Sequence, residues 1–139
     1  MTITICGSVV FSDKHMEVKK ELEAIGHTVY VTGHINNYLG KEEKEIEQLG
    51  YIDKINDDAI RDHWRKIKKS DAILVLNYDR KGIKNYIGGN TFLEIGFAHV
   101  LDKKIYLLNP IPDINFYKEE IEAIHPEILY GDVGKINEA

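Results

Sequence analysis

Glu94 is a carboxylate at the point where a predicted buried strand, residues 72–76, gives way to a predicted helix, residues 91–101. The segment that joins them ends in a run of small and polar residues, namely Gly88, Gly89, Asn90 and Thr91. A carboxylate in such a place can act on a bound substrate as a nucleophile or as a proton carrier. This stretch is therefore the first candidate for a catalytic site.

The same spacing also permits a purely structural role for Glu94. Thr91 and Glu94 stand three residues apart, as in a capping box, in which each side chain accepts a hydrogen bond from a backbone N–H at the helix start. A cap of this kind stabilises a helix by roughly 1 kcal/mol and requires no catalysis. Because a carboxylate held by the backbone is a poorer nucleophile, the two roles of Glu94 stand as alternatives.

A second polar loop follows the first predicted strand, residues 2–6. Gly7 and Ser8 come directly after it, ahead of a helix predicted over residues 13–25. Backbone N–H groups at a helix start suit a phosphate or a sugar hydroxyl, and Ser12 adds a hydroxyl there. Gly7 can equally serve only to turn the chain. The sequence contains neither a Walker motif nor the classical dinucleotide-binding glycine pattern.

The elements that must position these loops alternate between strand and helix. Strands are predicted at residues 2–6, 28–31, 72–76, 104–108 and 127–130, and helices at 13–25, 57–70, 91–101 and 117–123. Residues 33–57 are the least regular part and are predicted to form a flap with a charged helix at 41–48.

Short apolar strands that alternate with helices are typical of a parallel sheet covered on both faces. We therefore predict a three-layer α/β/α architecture, flavodoxin- or Rossmann-like, with five parallel strands in the order 2-1-3-4-5. In that order a ligand is expected at the carboxyl ends of the first and third strands. Both polar loops lie there.

Composition excludes several classes of function. The length of 139 residues fits one domain, residues 1–139, and the net charge of -5 gives a nucleic-acid partner no support. No apolar run approaches the roughly 20 residues of a membrane span. The single cysteine, Cys6, indicates a reducing, cytoplasmic location and is expected to be an inert core thiol. The six histidines lack metal-binding spacing with carboxylates, so we predict no metal and no cofactor.

Four segments in this order resemble the nucleoside 2-deoxyribosyltransferase family, which includes the 2'-deoxynucleoside 5'-phosphate N-hydrolases. They are Cys6-Gly7-Ser8, Ser70-Asp71-Ala72-Ile73-Leu74-Val75, Asn90-Thr91-Phe92-Leu93-Glu94-Ile95-Gly96-Phe97-Ala98 and Lys103-Lys104-Ile105-Tyr106-Leu107-Leu108. Their order and spacing, from about residue 3 to residue 108, are more specific than any one segment. The resemblance implies a nucleoside or nucleotide substrate and a retaining mechanism, in which a glutamate attacks C1' and forms a covalent glycosyl-enzyme.

The resemblance assigns that nucleophile to Glu94. It also implies an acid that protonates the leaving base, on the helix before the third strand. The matching position is His63, and Asp62, one step away, is the preferred candidate of the two. The remaining candidates for substrate contacts are Gly7, Ser8, Ser12, Asn77, Asp79, Tyr86, Gly88, Gly89, Asn90 and Thr91.

The chain departs from the family pattern near its substrate pocket. Phe92 stands where the family often has glycine or alanine, Asn90 replaces a frequent glycine, and the loop of residues 77–89 is longer than usual. Family members complete their sites across a dimer interface, so the resemblance implies a homo-oligomer with Asn115 as a candidate donor from a neighbour. The alternative function is a nucleotide-binding or sensing module of the same fold, in which Glu94 is only a cap.

Overall fold

A five-stranded parallel sheet forms the centre of the computed structural model, which describes residues 1–136. The strands are β1 (Thr2–Cys6), β2 (Thr28–Tyr30), β3 (Ala72–Val75), β4 (Lys104–Leu107) and β5 (Glu127–Ile128), in the order 2-1-3-4-5. The helices are α1 (Ser12–Ala24), α2 (Glu43–Asn56), α3 (Ala59–Lys69), α4 (Gly89–Val100) and α5 (Lys118–Ile124). The predicted fold class and strand order are thereby confirmed.

The two faces of the sheet bury separate apolar clusters. On one face, Leu74 of β3 packs in a cluster with Leu22 of α1. On the other face, Ile73 packs in a cluster with Ile67 of α3 and Ile95 of α4. Because β3 is covered on both sides, all four of its residues are apolar and buried, which is why its sequence does not alternate.

The segment before α3 is more regular than its sequence suggests. The predicted helix at 41–48 is part of α2, which continues to Asn56. Ile46 and Gly50 form its buried side, and Gly50 lies against Val9 of the short 3₁₀ helix Val9–Phe11. An acidic first turn with Glu43 suits the positive end of the helix dipole. Tertiary contact with the β1–α1 connection thus stabilises a helix whose exposed face is charged.

Other element boundaries differ by a few residues from the predicted ones. The last strand, β5, is limited to Glu127–Ile128, and α4 begins at Gly89, two residues before the predicted start. Within residues 1–136, no helix combines the length and the apolar character that crossing a membrane requires.

The carboxyl ends of β1 and β3 are held side by side by the backbone. Cys6 pairs with Val75 in the sheet register, and the Leu76 N–H donates to the Cys6 carbonyl at 2.9 Å. Beyond this point, the Asn77 side chain exchanges hydrogen bonds with Asn109 at the end of the neighbouring strand. The two loops that are predicted to bind a ligand therefore begin at adjacent strand ends, which hydrogen bonds hold together.

Candidate active site

A cavity of about 360 Å³ lies at the carboxyl ends of β1 and β3. The Gly7–Ser8 loop and the first turns of α4 line it from the sheet side, and α2 lines it from above with Gly50, Tyr51 and Lys54. The strand order of the sheet reverses between β1 and β3. Ligands of open α/β sheets bind at the carboxyl ends of the strands where this reversal occurs. The volume lies within the range of small-molecule sites.

Glu94 lines this cavity from the second turn of α4 and is only 4% exposed. The helix begins earlier than predicted, with Gly88 at its N-cap, and the Phe92 N–H already donates to the Gly88 carbonyl. Thr91 is consequently inside the helix, and no side chain caps its start. The capping-box interpretation of Thr91 and Glu94 is therefore wrong, and the backbone does not hold the Glu94 carboxylate in that role.

The Glu94 carboxylate shares its buried position with Cys6 and His63. A carboxylate oxygen, Oε2, lies 3.8 Å from Nε2 of His63, and Sγ of Cys6 lies 3.6 Å from the same nitrogen. Burial raises the pKa of Glu94, while His63 and the Cys6 thiol act to lower it. Burial, followed by the charge of Glu94, raises the pKa of the Cys6 thiol. Cys6, expected to be an inert core thiol, is thus in contact with the candidate nucleophile.

The structure separates the two candidates for the proton carrier. His63 is buried, lines the cavity and has its Nε2 at 3.1 Å from the Ile5 carbonyl oxygen. Asp62 points to the surface, where its carboxylate lies 3.8 Å from the Arg65 guanidinium. His63 is therefore the candidate that the fold places beside Glu94, although Asp62 was preferred on sequence grounds. A catalytic role for either residue stays a prediction.

The Gly7–Ser8 loop lines the cavity, but Ser12 does not. The Ser12 hydroxyl turns inward and donates to the Val9 carbonyl at 2.5 Å. Ser8 accepts a hydrogen bond from the Val10 N–H at 3.4 Å and so caps the short 3₁₀ helix. Of the three predicted contacts in this loop, the fold therefore places Gly7 and Ser8 at the cavity.

The predicted contact residues of the loop after β3 also fall into two groups, those that line the cavity and those that do not. Tyr86, Gly88, Gly89, Asn90 and Thr91 line the cavity. Asn77 instead bonds to the main chain of Asn109 and Pro110, and Asp79 accepts a hydrogen bond from the Asn85 N–H at 2.9 Å. These two side chains order the loop and do not line the cavity.

Phe92, the departure from the family pattern, lies outside the cavity lining. Its ring stacks on Tyr117 with 4.5 Å between the ring centroids, and the Tyr117 hydroxyl donates to the Ile87 carbonyl. The large side chain thus packs the start of α4 against the start of α5, and it takes no space from a ligand.

His15 is a cavity residue that the sequence analysis missed. It is 2% exposed, and neither ring nitrogen has a hydrogen-bond partner. Burial lowers the pKa of His15 to about 3, with a further contribution from His63, so the imidazole is neutral near pH 7. One signal for its burial exists in the sequence, because His15, Val18 and Leu22 share a helix face.

Unpartnered buried polar atoms concentrate at the cavity. Among residues 1–136, the buried side-chain nitrogen and oxygen atoms without a partner are both ring nitrogens of His15 and Oδ1 of Asn90. Both side chains line the cavity. Since buried polar groups in folded proteins are normally hydrogen-bonded, these atoms are suited to contact a polar ligand.

Arg80 joins α2 to the loop that follows β3. Its guanidinium lies 3.1 Å from carboxylates of Glu43 and Glu47 and 5.6 Å from the centre of the Tyr86 ring. With Lys54 and Lys81, it gives the cavity three cationic residues. The sequence analysis missed all three, since Lys54 is far in the chain from Arg80 and Lys81 and only the fold brings α2 beside that loop.

Comparisons with known proteins were made by sequence and by structure. No protein-family model and no curated protein sequence matches this chain. A CMP N-glycosidase from Clostridium botulinum shares the fold with a TM-score of 0.50 at 13% identity, over 92% of this chain and 85% of that one. A 2-desoxiribosyltransferase from Leishmania mexicana aligns with a TM-score of 0.50 at 16% identity, over 79% of this chain and 67% of that one.

The fold is that of the nucleoside 2-deoxyribosyltransferases. A 2-deoxyribosyltransferase from Bacillus psychrosaccharolyticus also aligns, with a TM-score of 0.48 at 20% identity, over 79% of this chain and 73% of that one. The Clostridium and Leishmania structures confirm, at the level of the fold, the resemblance inferred from the four sequence segments. At these low identities, the likeness carries the architecture and not the roles of individual residues.

Gly7 is expected to tolerate no side chain. Its φ of +147° is unusual for other residues, and a Cβ would lie 3.0 Å from the Leu76 carbonyl oxygen and 3.2 Å from Nε2 of His15. Gly7→Ala should therefore lower the free energy of unfolding by about 1–3 kcal/mol, measured by urea denaturation. Gly89→Ala is the matched control, because its Cβ would meet nothing within 4 Å. Equal effects of the two substitutions would contradict this account of Gly7.

His15 is expected to make the protein sensitive to acid. Its pKa is about 3 in the folded chain and near 6.5 when exposed, so between these values the unfolded chain binds the extra proton. Stability should therefore fall as the pH drops below 6.5, by about 2 kcal/mol at pH 5 from this group. In His15→Gln that part of the pH dependence should disappear, as measured by urea denaturation at pH 7.5 and pH 5. The exposed His99→Gln serves as control, and an unchanged pH dependence in His15→Gln would contradict the assignment.

Proposed function

We propose that the protein cleaves or transfers at the N-glycosidic bond of a (2'-deoxy)nucleoside or its 5'-monophosphate. The observation that carries this proposal is the buried Glu94 carboxylate, which lines the cavity at the ends of β1 and β3 and is not used as a helix cap. A CMP N-glycosidase and a 2-desoxiribosyltransferase that share the fold support this class of reaction.

In the proposed mechanism, a Glu94 oxygen attacks C1' of the sugar as the bond from C1' to the base nitrogen breaks. The base leaves with a proton, and a covalent glycosyl ester forms on Glu94. Water or a second base then attacks C1' and releases the carboxylate. Two displacements at the same carbon retain its configuration. An enzyme that uses water as the acceptor is a hydrolase, and one that uses a second base is a transferase.

His63 is the residue best placed to influence the charge of Glu94. Its Nε2 lies 3.8 Å from the carboxylate, and a protonated imidazole there favours the ionised form that the attack requires. Proton delivery to the leaving base is the second candidate role of His63, because it lines the same cavity. Asp62 would need to leave its surface position near Arg65 to take that role.

The cavity lining also includes groups that suit an anionic ligand. Backbone N–H groups of the Gly7–Ser8 loop precede α1, and Lys54, Arg80 and Lys81 line the same space. Arg80 is already paired with two carboxylates of α2, so a phosphate would compete with Glu43 and Glu47 for it. These features support a nucleoside 5'-monophosphate among the substrates. His15 and Asn90 supply uncharged polar atoms that suit sugar hydroxyls or base edges.

The experiment that tests the proposal is a panel of nucleosides and nucleoside 5'-monophosphates, followed by chromatography for released base. Wild type should release base from at least one compound, and Glu94→Gln should lose the activity by several orders of magnitude because an uncharged amide oxygen is a much weaker nucleophile than a carboxylate. The control is Glu119→Gln, an exposed glutamate of α5, which should match wild type.

Each result of the panel has a distinct meaning. Release that requires an added second base identifies a transferase, and release without one identifies a hydrolase. Equal activity in wild type and Glu94→Gln would contradict the role of Glu94. Binding without release from any compound would contradict the enzyme proposal and leave a nucleotide-binding or sensing module.

We also propose that the chain forms a homo-oligomer. Val100 of α4 is 83% exposed and Phe116, beside the candidate donor Asn115, is 91% exposed, so both large apolar side chains are free to contact a second copy of the chain. Light scattering should give a mass well above the 16.0 kDa of one chain. Val100→Lys should shift the mass towards the monomer, whereas Ile25→Lys, on a half-exposed residue at the end of α1, should not. A monomeric mass for wild type would contradict the proposal.

A further inference from the structure

Cys6, His63 and Glu94 present three different metal-binding groups to one another. The Cys6 sulfur lies 3.6 Å from Nε2 of His63, and that nitrogen lies 3.8 Å from Oε2 of Glu94. All three donor atoms lie within 4.8 Å of one another, and all three residues are buried. We propose that this cluster binds Zn²⁺ reversibly, with one coordination position open to the cavity.

The separations fit a tetrahedral ion. Zinc bonds of about 2.3 Å to sulfur and about 2.0–2.1 Å to nitrogen and oxygen place sulfur and nitrogen about 3.6 Å apart, and nitrogen and oxygen about 3.4 Å apart. The observed 3.6 Å and 3.8 Å are within a few tenths of an ångström of those values. The third pair of donor atoms, the Cys6 sulfur and a Glu94 oxygen, lies within 4.8 Å.

The three ligands come from rigid elements and not from loops. Cys6 is the last residue of β1, His63 is in α3 and Glu94 is in α4. These elements pack together in the core on one side of the sheet, where Ile67 of α3 meets Ile95 of α4. A site held in this way is organised before the metal arrives, which lowers the cost of binding.

The donor set favours zinc over the hard cations. A thiolate and an imidazole suit zinc and other transition metals, whereas magnesium and calcium prefer oxygen ligands. The thiolate and the carboxylate together carry two negative charges, so a bound Zn²⁺ is neutralised within the site. The Cys6 proton leaves when the metal binds, because the thiolate is the ligand.

Binding also requires a change at His63. In the metal-free chain, Nε2 is 3.1 Å from the Ile5 carbonyl oxygen, to which its N–H donates. A metal needs the lone pair of this nitrogen, so the proton moves to Nδ1 and the hydrogen bond to Ile5 is lost. The gain is three metal–ligand bonds.

The open fourth position gives this site a consequence for activity. All three ligands line the cavity, so water or a substrate atom can reach the ion. A Glu94 oxygen bound to zinc can no longer attack C1'. We therefore infer that zinc inhibits the enzyme reversibly and competes with the substrate. This last step rests on the proposed function, whereas zinc binding itself does not.

The direct test is titration of the metal-free full chain with Co²⁺, which reports thiolate ligation by a charge-transfer absorption band, followed by displacement with Zn²⁺. Wild type should show the band and bind one ion per chain in competition with a coloured chelator. Cys6→Ser should lose the band, and His63→Gln should bind zinc at least about 10-fold more weakly. His99→Gln, an exposed histidine of α4, is the matched control, and excess Mg²⁺ should not displace the ion.

The outcomes separate this proposal from the proposed function. Absence of the band in wild type, or equal zinc affinity in wild type and Cys6→Ser, would overturn the site. Circular dichroism of each variant shows whether its fold is intact, and a binding defect in a folded Cys6→Ser supports the site. Zinc binding without base release from any substrate would support the zinc site and would contradict only the proposed enzymatic function. Base release that zinc inhibits equally in wild type and Cys6→Ser would also overturn it.

Discussion

Parallel pairing of β1 with β3 is the constraint on which the candidate site depends. It brings Cys6 beside Val75, and the hydrogen bond from Leu76 to Cys6 extends the pairing past the end of the strands. After these strands, the chain runs in opposite directions, from β1 towards α1 and from β3 towards α4. A cavity opens between the two connections because α1 and α4 cover opposite faces of the sheet. Gly7 keeps this junction closed, since a side chain there would meet the Leu76 carbonyl.

Three titratable groups that line the cavity have pKa values that are shifted in the direction that favours their neutral forms. Burial raises the pKa of Glu94 and of Cys6 and lowers the pKa of His15. Each shift reflects the cost of a charge in a space with little water, and His63 partly offsets that cost for Glu94. Titratable groups with displaced pKa values, gathered in a cleft, are more typical of a functional site than of a core.

Above the cavity, α2 is held by charge as well as by packing. Gly50 allows it to approach Val9, and Arg80 ties Glu43 and Glu47 to the loop after β3. The Arg80 side chain is only 10% exposed, but the Glu43 and Glu47 side chains are 59% and 44% exposed, so solvent screens both ion pairs.

The sequence alone determined the architecture and the location of the candidate site. Apolar strands such as Ala72–Val75, spaced by helices, permit few arrangements other than the observed sheet, and its order places the ligand loops. Glu94 was recognisable as a candidate catalytic residue because it follows a glycine pair at a strand–helix junction. Local signals of this kind depend on residues that are close in the chain, so they can be seen without the fold.

Only the tertiary structure decided which side chains meet. The capping box failed because α4 starts at Gly89, with the Gly88 carbonyl accepting the first helical hydrogen bond from the Phe92 N–H. The spacing of Thr91 and Glu94 does not reveal this earlier start. His63 faces Glu94 and Asp62 faces solvent because the packing of α3 fixes its rotation about its own axis. Cys6 and His15 reach the cavity through contacts between distant segments. The direction of a side chain is set by such contacts, and one residue of helix rotation, about 100°, exchanges a buried position for an exposed one.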